Sequence, residues 1–310
     1  MSAPSTAKKL SVVVPFLNEA GNLPELCDRV IRAMAGQPEQ LEILLVDDGS
    51  TDASPEWVRR KAQDDGRVRL LQLSRNFGHQ IAITAGMDHA GGDAVVIMDA
   101  DLQDPPELIP ELLAKWREGF EVVYAVRRSR AGETWLKKFL AASFYKMFQA
   151  MAKVNVPMDA GDFRLVDRKV VDALKEVREL HRFMRGLTCW VGFRQGAVYY
   201  ERAARLAGET KYPIWKSVRL ALDAITSFSA SPLRWIAGAG VLISLLGLIF
   251  ILQLIWARWF HPAGLMPGWA SIIAVVLFLG GIQLICLGMI GQYISRIFEE
   301  SKKRPLYFLK

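Results

Sequence analysis

The sequence predicts an α/β fold: a mostly parallel sheet covered by helices on both faces, then amphipathic interfacial helices, then a C-terminal two-helix transmembrane hairpin. Three observations carry this. Strand-like apolar runs alternate with helical patterns up to Val126, the rhythm of a parallel sheet. Several of those runs end in acidic loops. Two long stretches near the C-terminus carry no charge.

Leu10–Val14 reads as the first strand, followed by a helix over Leu23–Ala35 with Asn22 as its N-cap. Leu41–Val46 is a second strand, Ser54–Asp64 a helix and Val68–Leu73 a third strand. A helix over Gln80–Ala90 leads to the strand Ala94–Met98, whose unbroken apolar character marks a strand buried on both faces. Leu108–Glu118 is helical and Val122–Val126 is again a strand.

Asp99-Ala100-Asp101-Leu102-Gln103-Asp104-Pro105-Pro106-Glu107 follows the fourth strand. Two carboxylates two residues apart thus stand at a strand end, where open α/β sheets bind ligands. Paired oxygen ligands suit Mg²⁺ or Mn²⁺ holding a diphosphate. A polar loop with Asp104 capping the next helix fits the same residues. The first and second strands also end in polar loops, with Asn18 and Glu19 after one and Asp47-Asp48-Gly49-Ser50 after the other. Parallel strands would bring Glu19, Asp48, Asp99 and Asp101 to one edge. Carboxylates there can accept hydrogen bonds from ribose hydroxyls and a base N–H. Helix capping explains each loop singly but three acidic strand ends poorly.

Hydrophobic residues make up 51% of the chain, slightly high for a soluble protein, and the excess lies near the C-terminus. Trp235–Ala257 and Pro262–Ser295 contain no charged residue. Each is long enough to cross a bilayer core, which takes about 20 apolar residues. Trp235, Trp256, Trp259 and Trp269 stand near their ends. Arg234 precedes the first span, and Arg296, Lys302, Lys303, Arg304 and Lys310 follow the second, marking both outer ends as cytoplasmic. Met1–Lys9 is polar and small, with no apolar leader, so the N-terminal domain is expected in the cytoplasm. The net charge of +7 beside two spans fits anionic headgroups and phosphorylated substrates better than nucleic acid. Cys27, Cys189 and Cys286 have no metal spacing and read as free thiols.

Two further segments read as basic, aromatic interfacial helices. Thr134–Lys153 carries Trp135, Phe139, Phe144 and Phe148 beside Lys137, Lys138 and Lys146. Ile214–Phe228 interleaves Trp215, Leu222 and Ile225 with Lys216 and Arg219.

The ordered set Pro15-x-x-Asn18-Glu19, Asp47-Asp48-Gly49-Ser50 and Asp99-Ala100-Asp101-Leu102-Gln103 resembles glycosyltransferase family 2, with its GT-A nucleotide-sugar fold. Gly161-Asp162-Phe163-Arg164-Leu165 and Glu201-Arg202-x-x-Arg205-x-x-Gly208-Glu209-Thr210-Lys211-Tyr212 narrow the resemblance to the polyprenyl-phosphate branch. That branch includes bactoprenol glucosyltransferases, dolichyl-phosphate mannose synthases and aminoarabinose transferases of lipid A modification. Gly288-Met289-Ile290-Gly291-Gln292-Tyr293 and Arg304-Pro305-Leu306-Tyr307 look like the bactoprenol enzymes.

The resemblance implies inverting transfer of one sugar from a nucleotide-sugar, UDP-glucose, to undecaprenyl phosphate. Asp99, Asp101 and Gln103 would hold Mg²⁺ or Mn²⁺, which neutralises charge on the departing nucleoside diphosphate. Pro15, Leu17, Glu19, Asp48 and Asp99 would contact the nucleotide. Arg127, Lys137 and Arg205 match basic positions for the acceptor phosphate; Lys137 replaces what is often an arginine, and a lysine cannot make the bidentate contact. Arg128, Arg202 and Lys211 are secondary candidates. Asp159 is the candidate base or sugar-hydroxyl ligand, with Asp162 as the alternative. His181 has no second histidine at ligand spacing and is not assigned to the site.

The implied organisation is a nucleotide-sugar-binding core over 1–130, an acceptor-side and interfacial region over 131–231, two transmembrane helices over 232–296 and a cytoplasmic tail over 297–310. The implied setting is multi-pass in the bacterial inner membrane, with a homo-oligomer, a tetramer, as the assembly. Transfer of aminoarabinose or mannose, a processive polysaccharide synthase and a catalytically silent membrane scaffold remain the competing readings. The synthase's Gln-x-x-Arg-Trp motif is not matched here; Trp190 follows Cys189 instead.

Overall fold

The computed structural model describes residues 8–127, 160–201, 231–260 and 268–310. The chain divides into two units, Met1–Pro213 with Arg304–Lys310, and Ile214–Lys303.

In the first unit, strand β1 (Lys9–Phe16) leads to helix α1 (Leu23–Ala33), β2 (Gln40–Asp47), α2 (Ser54–Asp64), β3 (Val68–Gln72), α3 (His79–His89) and β4 (Ala94–Ile97). A 3₁₀ turn (Pro106–Leu108) opens α4 (Ile109–Arg117), and β5 (Val122–Arg127) follows. Beyond these come β6 (Ala160–Asp167), α5 (Arg168–Glu176), α6 (Met184–Trp190) and β7 (Gln195–Tyr200). The strands through β5 and the four helices before it match the sequence expectation closely. Strands β6 and β7 were not foreseen.

Among the described residues the sheet has seven strands, ordered β3-β2-β1-β4-β6-β5-β7. β1, β2, β3 and β4 pair in parallel, β6 runs antiparallel between β4 and β5, and β7 runs parallel to β5. β1 is buried almost throughout because both its faces are covered. Val12, Val14 and Phe16 join one core with Leu26 and Val30 of α1 and Leu112 of α4. Val13 faces α3 on the other side. A Cβ added at Gly86 of α3 would stand 2.2 Å from Val13 Cγ1, so only glycine lets this helix approach the sheet so closely.

Asn22 stands at the N-cap of α1 but has helical dihedrals and makes no side-chain cap bond. Its amide donates instead to Glu19 Oε2 at 2.6 Å, while Glu19's carbonyl accepts from the N–H groups of Asn22 and Leu23. Asp104 does not cap the turn after it; Tyr200 and Arg127 take its carboxylate.

The tail Arg304–Lys310 belongs to the first unit and lies along the free edge of β3. Leu309 bridges Leu73 antiparallel, Ser74 N donates to Phe308 O and Lys310 N to Gln72 O. Tyr307 Oη donates to Asp88 Oδ2 at 3.0 Å. The tail thus makes an extended, strand-like contact on its own chain's sheet. The edge is covered rather than left open.

The second unit contains α7 (Ser231–Phe260) and α8 (Trp269–Ser301), about 45 and about 50 Å long. Among the described residues, Phe278–Ser301 is long and apolar enough to cross a membrane, and Ile236–Gly247 is a shorter apolar stretch. Within this unit Leu284 is 72% exposed and Phe278 65%, apolar surface that the described residues of the unit leave uncovered. The expected interfacial helices, 134–153 and 214–228, lie outside the described residues. The three cysteines are free, with Cys27 and Cys189 buried.

Glu42 ties the middle of the sheet together. Its buried carboxylate accepts from Ser11 Oγ at 2.5 Å, Gly91 N at 3.0 Å and Arg69 Nη1 at 2.6 Å, with Lys9 Nζ 3.1 Å away. Burial alone would raise its pKa; the bonds from Ser11, Gly91, Arg69 and Lys9 outweigh it and lower the pKa from 4.5 to about 2. The stability this supplies is complete above about 4.5 and is lost as the pH falls towards about 2. Glu42→Gln is expected to cost about 3 kcal/mol near neutral pH. Thermal melts in detergent should show a wild-type advantage that is full at pH 7 and shrinks as the pH falls to about 2. A constant difference across that range would contradict the assignment.

Candidate active site

Parallel pairing of β1–β4 puts all four carboxyl ends on one edge. The chain winds from β1 outward through β2 to β3, then returns to set β4 on β1's other side. Ligands of open α/β sheets bind at such a reversal. A cleft of about 350 Å³ opens there, lined by Pro15, Phe16, Leu17 and Glu19 after β1, and by Asp48 after β2. Asn76, Gly78 and His79 line it after β3, and Asp99, Ala100 and Asp101 after β4.

The loops after β1 and β2 are stitched to each other. Asn18, in a left-handed conformation at φ 58°, accepts from Thr51 N at 2.8 Å with its side-chain oxygen, and its own N–H donates to Ser50 Oγ at 2.9 Å. Glu19 N donates to Ser54 Oγ at 3.0 Å. Asp48 fixes the third loop: its carboxylate accepts from Phe77 N at 2.8 Å and Gly78 N at 3.0 Å. Burial pushes the Asp48 carboxyl above its usual range against the pull of those two amides. Gly78, at φ 100°, turns the chain into α3 so that His79 begins the helix inside the cleft.

β6 reaches the same edge beside β4. Ile97 pairs with Arg164 antiparallel, and continuing that register by two residues sets Asp99 opposite Asp162. His79 stands beside both carboxylates, with Nε2 3.3 Å from Asp99 Oδ1 and 3.5 Å from Asp162 Oδ2. Arg164, almost fully buried, donates to Gly161 O at 2.7 Å and Thr188 Oγ1 at 2.6 Å. Arg185 Nε lies 3.3 Å from Asp162 Oδ1.

These neighbours separate the two acids electrostatically. Burial pushes Asp99 up to about 6, His79 pulls against this, and the charges of Asp162, Asp104 and Asp101 add to the rise. Burial would also raise Asp162, but the His79 bond and the Arg185 and Arg164 charges hold it well below the usual carboxylate range. Burial opposes charge on His79, yet the Asp162 bond and the Asp99 charge outweigh it and raise its pKa.

The residues present fit a divalent cation. Asp99 and Asp101 share the cleft, and Asp99 Oδ1 is buried without a hydrogen-bond partner. Among the described residues no cluster of three His, Cys, Asp or Glu ligands is preformed. Mg²⁺-type ions are commonly held by one or two carboxylates plus substrate phosphates and water, so two acids suffice. Leu102, at φ 58°, takes a left-handed turn that costs on the order of 1 kcal/mol. Across that turn Gln103 N donates to Asp101 Oδ1 at 3.1 Å. Gln103 itself is buried and is not part of the cleft lining.

Of the residues singled out from sequence, Pro15, Leu17, Glu19, Asp48, Asp99 and Asp101 are thus brought together. Arg127, at the end of β5, bonds Tyr200 and pairs with Asp104. Lys137, Asp159 and Arg205 lie outside the described residues, as do Arg128, Arg202 and Lys211. His79, Asn76 and Asp104 were missed, and Asp162 was only the alternative to Asp159. The available signal was Asn76-Phe77-Gly78-His79, a turn glycine before a polar residue at the end of a third parallel strand.

Residues 11–175 match the family model described as glycosyl transferase family 2. The chain belongs to glycosyltransferase family 2. Residues 231–297 of this glycosyltransferase match a second model, the GtrB C-terminal hairpin. It is 50% identical over 300 residues to the uncharacterized glycosyltransferase YkcC of Bacillus subtilis, covering 97% of this chain and 93% of that one. It is 48% identical to the uncharacterized glycosyltransferase sll0501 of Synechocystis, covering 97% and 94%. It is 40% identical over 307 residues to the bactoprenol glucosyl transferase of Shigella phage SfV, covering 97% and 98%. The family read from the strand-end motifs is the family found.

Asp99→Asn is expected to lower glycosyl transfer by about a hundredfold or more while leaving the far-ultraviolet dichroism unchanged. Near-normal turnover by the folded variant would remove Asp99 from the site.

Proposed function

We propose that this enzyme transfers a single glucose, with inversion, from UDP-glucose to undecaprenyl phosphate, giving a polyprenyl-monophosphate sugar. The observation that carries the reading is the match over nearly the whole chain, hairpin included, to a protein named bactoprenol glucosyl transferase. The cleft agrees with it chemically, since its acidic strand ends suit a metal-bound nucleotide.

In this reading Pro15, Leu17, Glu19 and Asp48 hold the nucleotide. Asp99 and Asp101 would hold Mg²⁺ or Mn²⁺, whose positive charge offsets the charge left on the departing diphosphate, and Gln103, expected as a third ligand but buried outside the cleft lining, braces Asp101 through its N–H. The acceptor phosphate already carries roughly −1.5 to −2 charge near neutrality, by analogy with phosphorylated side chains. It needs placement more than deprotonation. Arg127, Lys137 and Arg205 supply that placement, and Asp159 serves as base or sugar-hydroxyl ligand, with Asp162 beside His79 as the alternative.

Both α7 and α8 cross the bacterial inner membrane in this reading, with the catalytic domain and both termini in the cytoplasm. The basic residues outside the uncharged runs support that orientation. The lipid keeps its chain in the bilayer, since each buried CH₂ contributes about 0.8 kcal/mol. The segments 134–153 and 214–228 would bring the site down to the headgroups. The domains over 1–130, 131–231, 232–296 and 297–310 divide these tasks. The assembly is a homo-oligomer, a tetramer, and the tail's strand-like edge contact is of a kind that copies can exchange.

The test is mass spectrometry of the lipid product formed in detergent from undecaprenyl phosphate and a panel of UDP- and GDP-sugars, with and without Mg²⁺. A single hexose added from UDP-glucose, only with metal, is expected. Mannose or aminoarabinose addition would change the donor, a polymer would indicate a processive synthase, and no product from any donor would indicate a scaffold.

A further inference from the structure

We propose that Asp104 and Tyr200 are positioning residues that hold the Arg127 guanidinium ready for the acceptor phosphate. The proposal rests on the reading of Arg127 given above and names the device that aims it.

Three separate parts of the fold converge on this guanidinium. Arg127 ends β5, and its register partner on the neighbouring parallel strand is Tyr200, which ends β7. Asp104 comes from the loop after β4, two residues short of the 3₁₀ turn. Arg127 Nε donates to Tyr200 Oη at 3.2 Å, and Tyr200 Oη donates in turn to Asp104 Oδ1. Arg127 Nη2 also lies 3.5 Å from the same Asp104 oxygen. A phenol hydroxyl has one proton to give and lone pairs to receive, so Tyr200 can serve both neighbours at once. Gly161 of β6 leaves the space the fork needs, for a Cβ there would stand 3.0 Å from Arg127 Nη2.

The cost of this arrangement argues for a purpose beyond bracing the sheet. The Asp104 side chain is only 1% exposed, and its second oxygen, Oδ2, is buried with no hydrogen-bond partner. A buried carboxylate so incompletely partnered is a poor stabilising device, and apolar packing would brace three strand ends better. The Arg127 side chain keeps 23% exposure. Its bonds to Tyr200 and Asp104 use Nε and Nη2, and a guanidinium carries further N–H groups that can serve a phosphate oxygen. Fixing the fork beforehand removes rotamer freedom that phosphate binding would otherwise have to remove.

Steady-state transfer to undecaprenyl phosphate in mixed micelles, with UDP affinity measured by calorimetry on the same preparations, tests this. Tyr200→Phe and Asp104→Asn should each raise the acceptor KM about tenfold. UDP affinity should stay unchanged. Tyr200→Phe in an Arg127→Ala background should add nothing further, which a merely structural role would not produce. If Asp104→Asn fails to fold, Tyr200→Phe, which keeps the ring and its packing on Phe163, carries the test. An unchanged acceptor KM in Tyr200→Phe, where Arg127→Ala raises it, would overturn the positioning role and leave the reading of Arg127 standing. The same rise from Tyr200→Phe with and without Arg127 would also overturn it. An unchanged acceptor KM in Arg127→Ala would remove both.

Discussion

β4 is paired on both sides, by β1 running with it and by β6 running against it, and the site follows from that double pairing. The parallel partner lines up the carboxyl ends of β1–β4, so the loops carrying Glu19, Asp48, His79 and Asp99 share one cleft. The antiparallel partner brings the start of β6 to the same edge, so Asp162 faces Asp99 across His79. β5 and β7, on the far side of β6, then end beside them with Arg127 and Tyr200. A sheet that stayed parallel throughout would present the C-terminal end of the strand next to β4, and Asp162 would lie at the opposite edge.

The electrostatics of the edge are unbalanced in a way that suits a cationic ligand. Buried carboxylates are costly unless compensated. Asp162 is compensated by His79, Arg164 and Arg185, and its pKa falls. Asp99 shares that histidine, 3.3 Å from its Oδ1, but burial and the charges of Asp162, Asp104 and Asp101 outweigh it and carry Asp99 up to about 6. Asp99 therefore lies beside an unmet demand for positive charge, at the point where the reversal of strand order opens the cleft. A divalent cation would meet that demand, and Asp101 stands two residues away to share it.

β1 and β4 were legible because they are buried on both faces and carry the unbroken apolar runs Val12–Val14 and Ala94–Ile97. β6 was not legible, because Ala-Gly-Asp-Phe-Arg-Leu-Val-Asp places an acid and an arginine inside the strand. Arg164 is buried there only because Thr188, Gly161 and the Tyr124 ring receive it, partners remote in sequence except Gly161. β7, Gln-Gly-Ala-Val-Tyr-Tyr, is short and half exposed and carries little pattern. The acidic loops pointed to the cleft directly, since carboxylates at parallel strand ends converge by topology alone. His79 escaped notice because its partners, Asp99 and Asp162, come from two other strands, and no spacing in the chain announces them. Asn22 had a capping residue's identity, but Glu19 engaged it first.

The most direct measurement of the central claim, that one edge of this sheet binds a metal-bound nucleotide, is a structure of the detergent-solubilised enzyme with UDP and Mn²⁺. The expected result is UDP in the cleft between the β1 and β4 ends, its uridine against Pro15–Glu19 and Asp48, with anomalous scattering from Mn²⁺ beside Asp99 and Asp101. Nucleotide bound elsewhere, or manganese away from both aspartates, would contradict it.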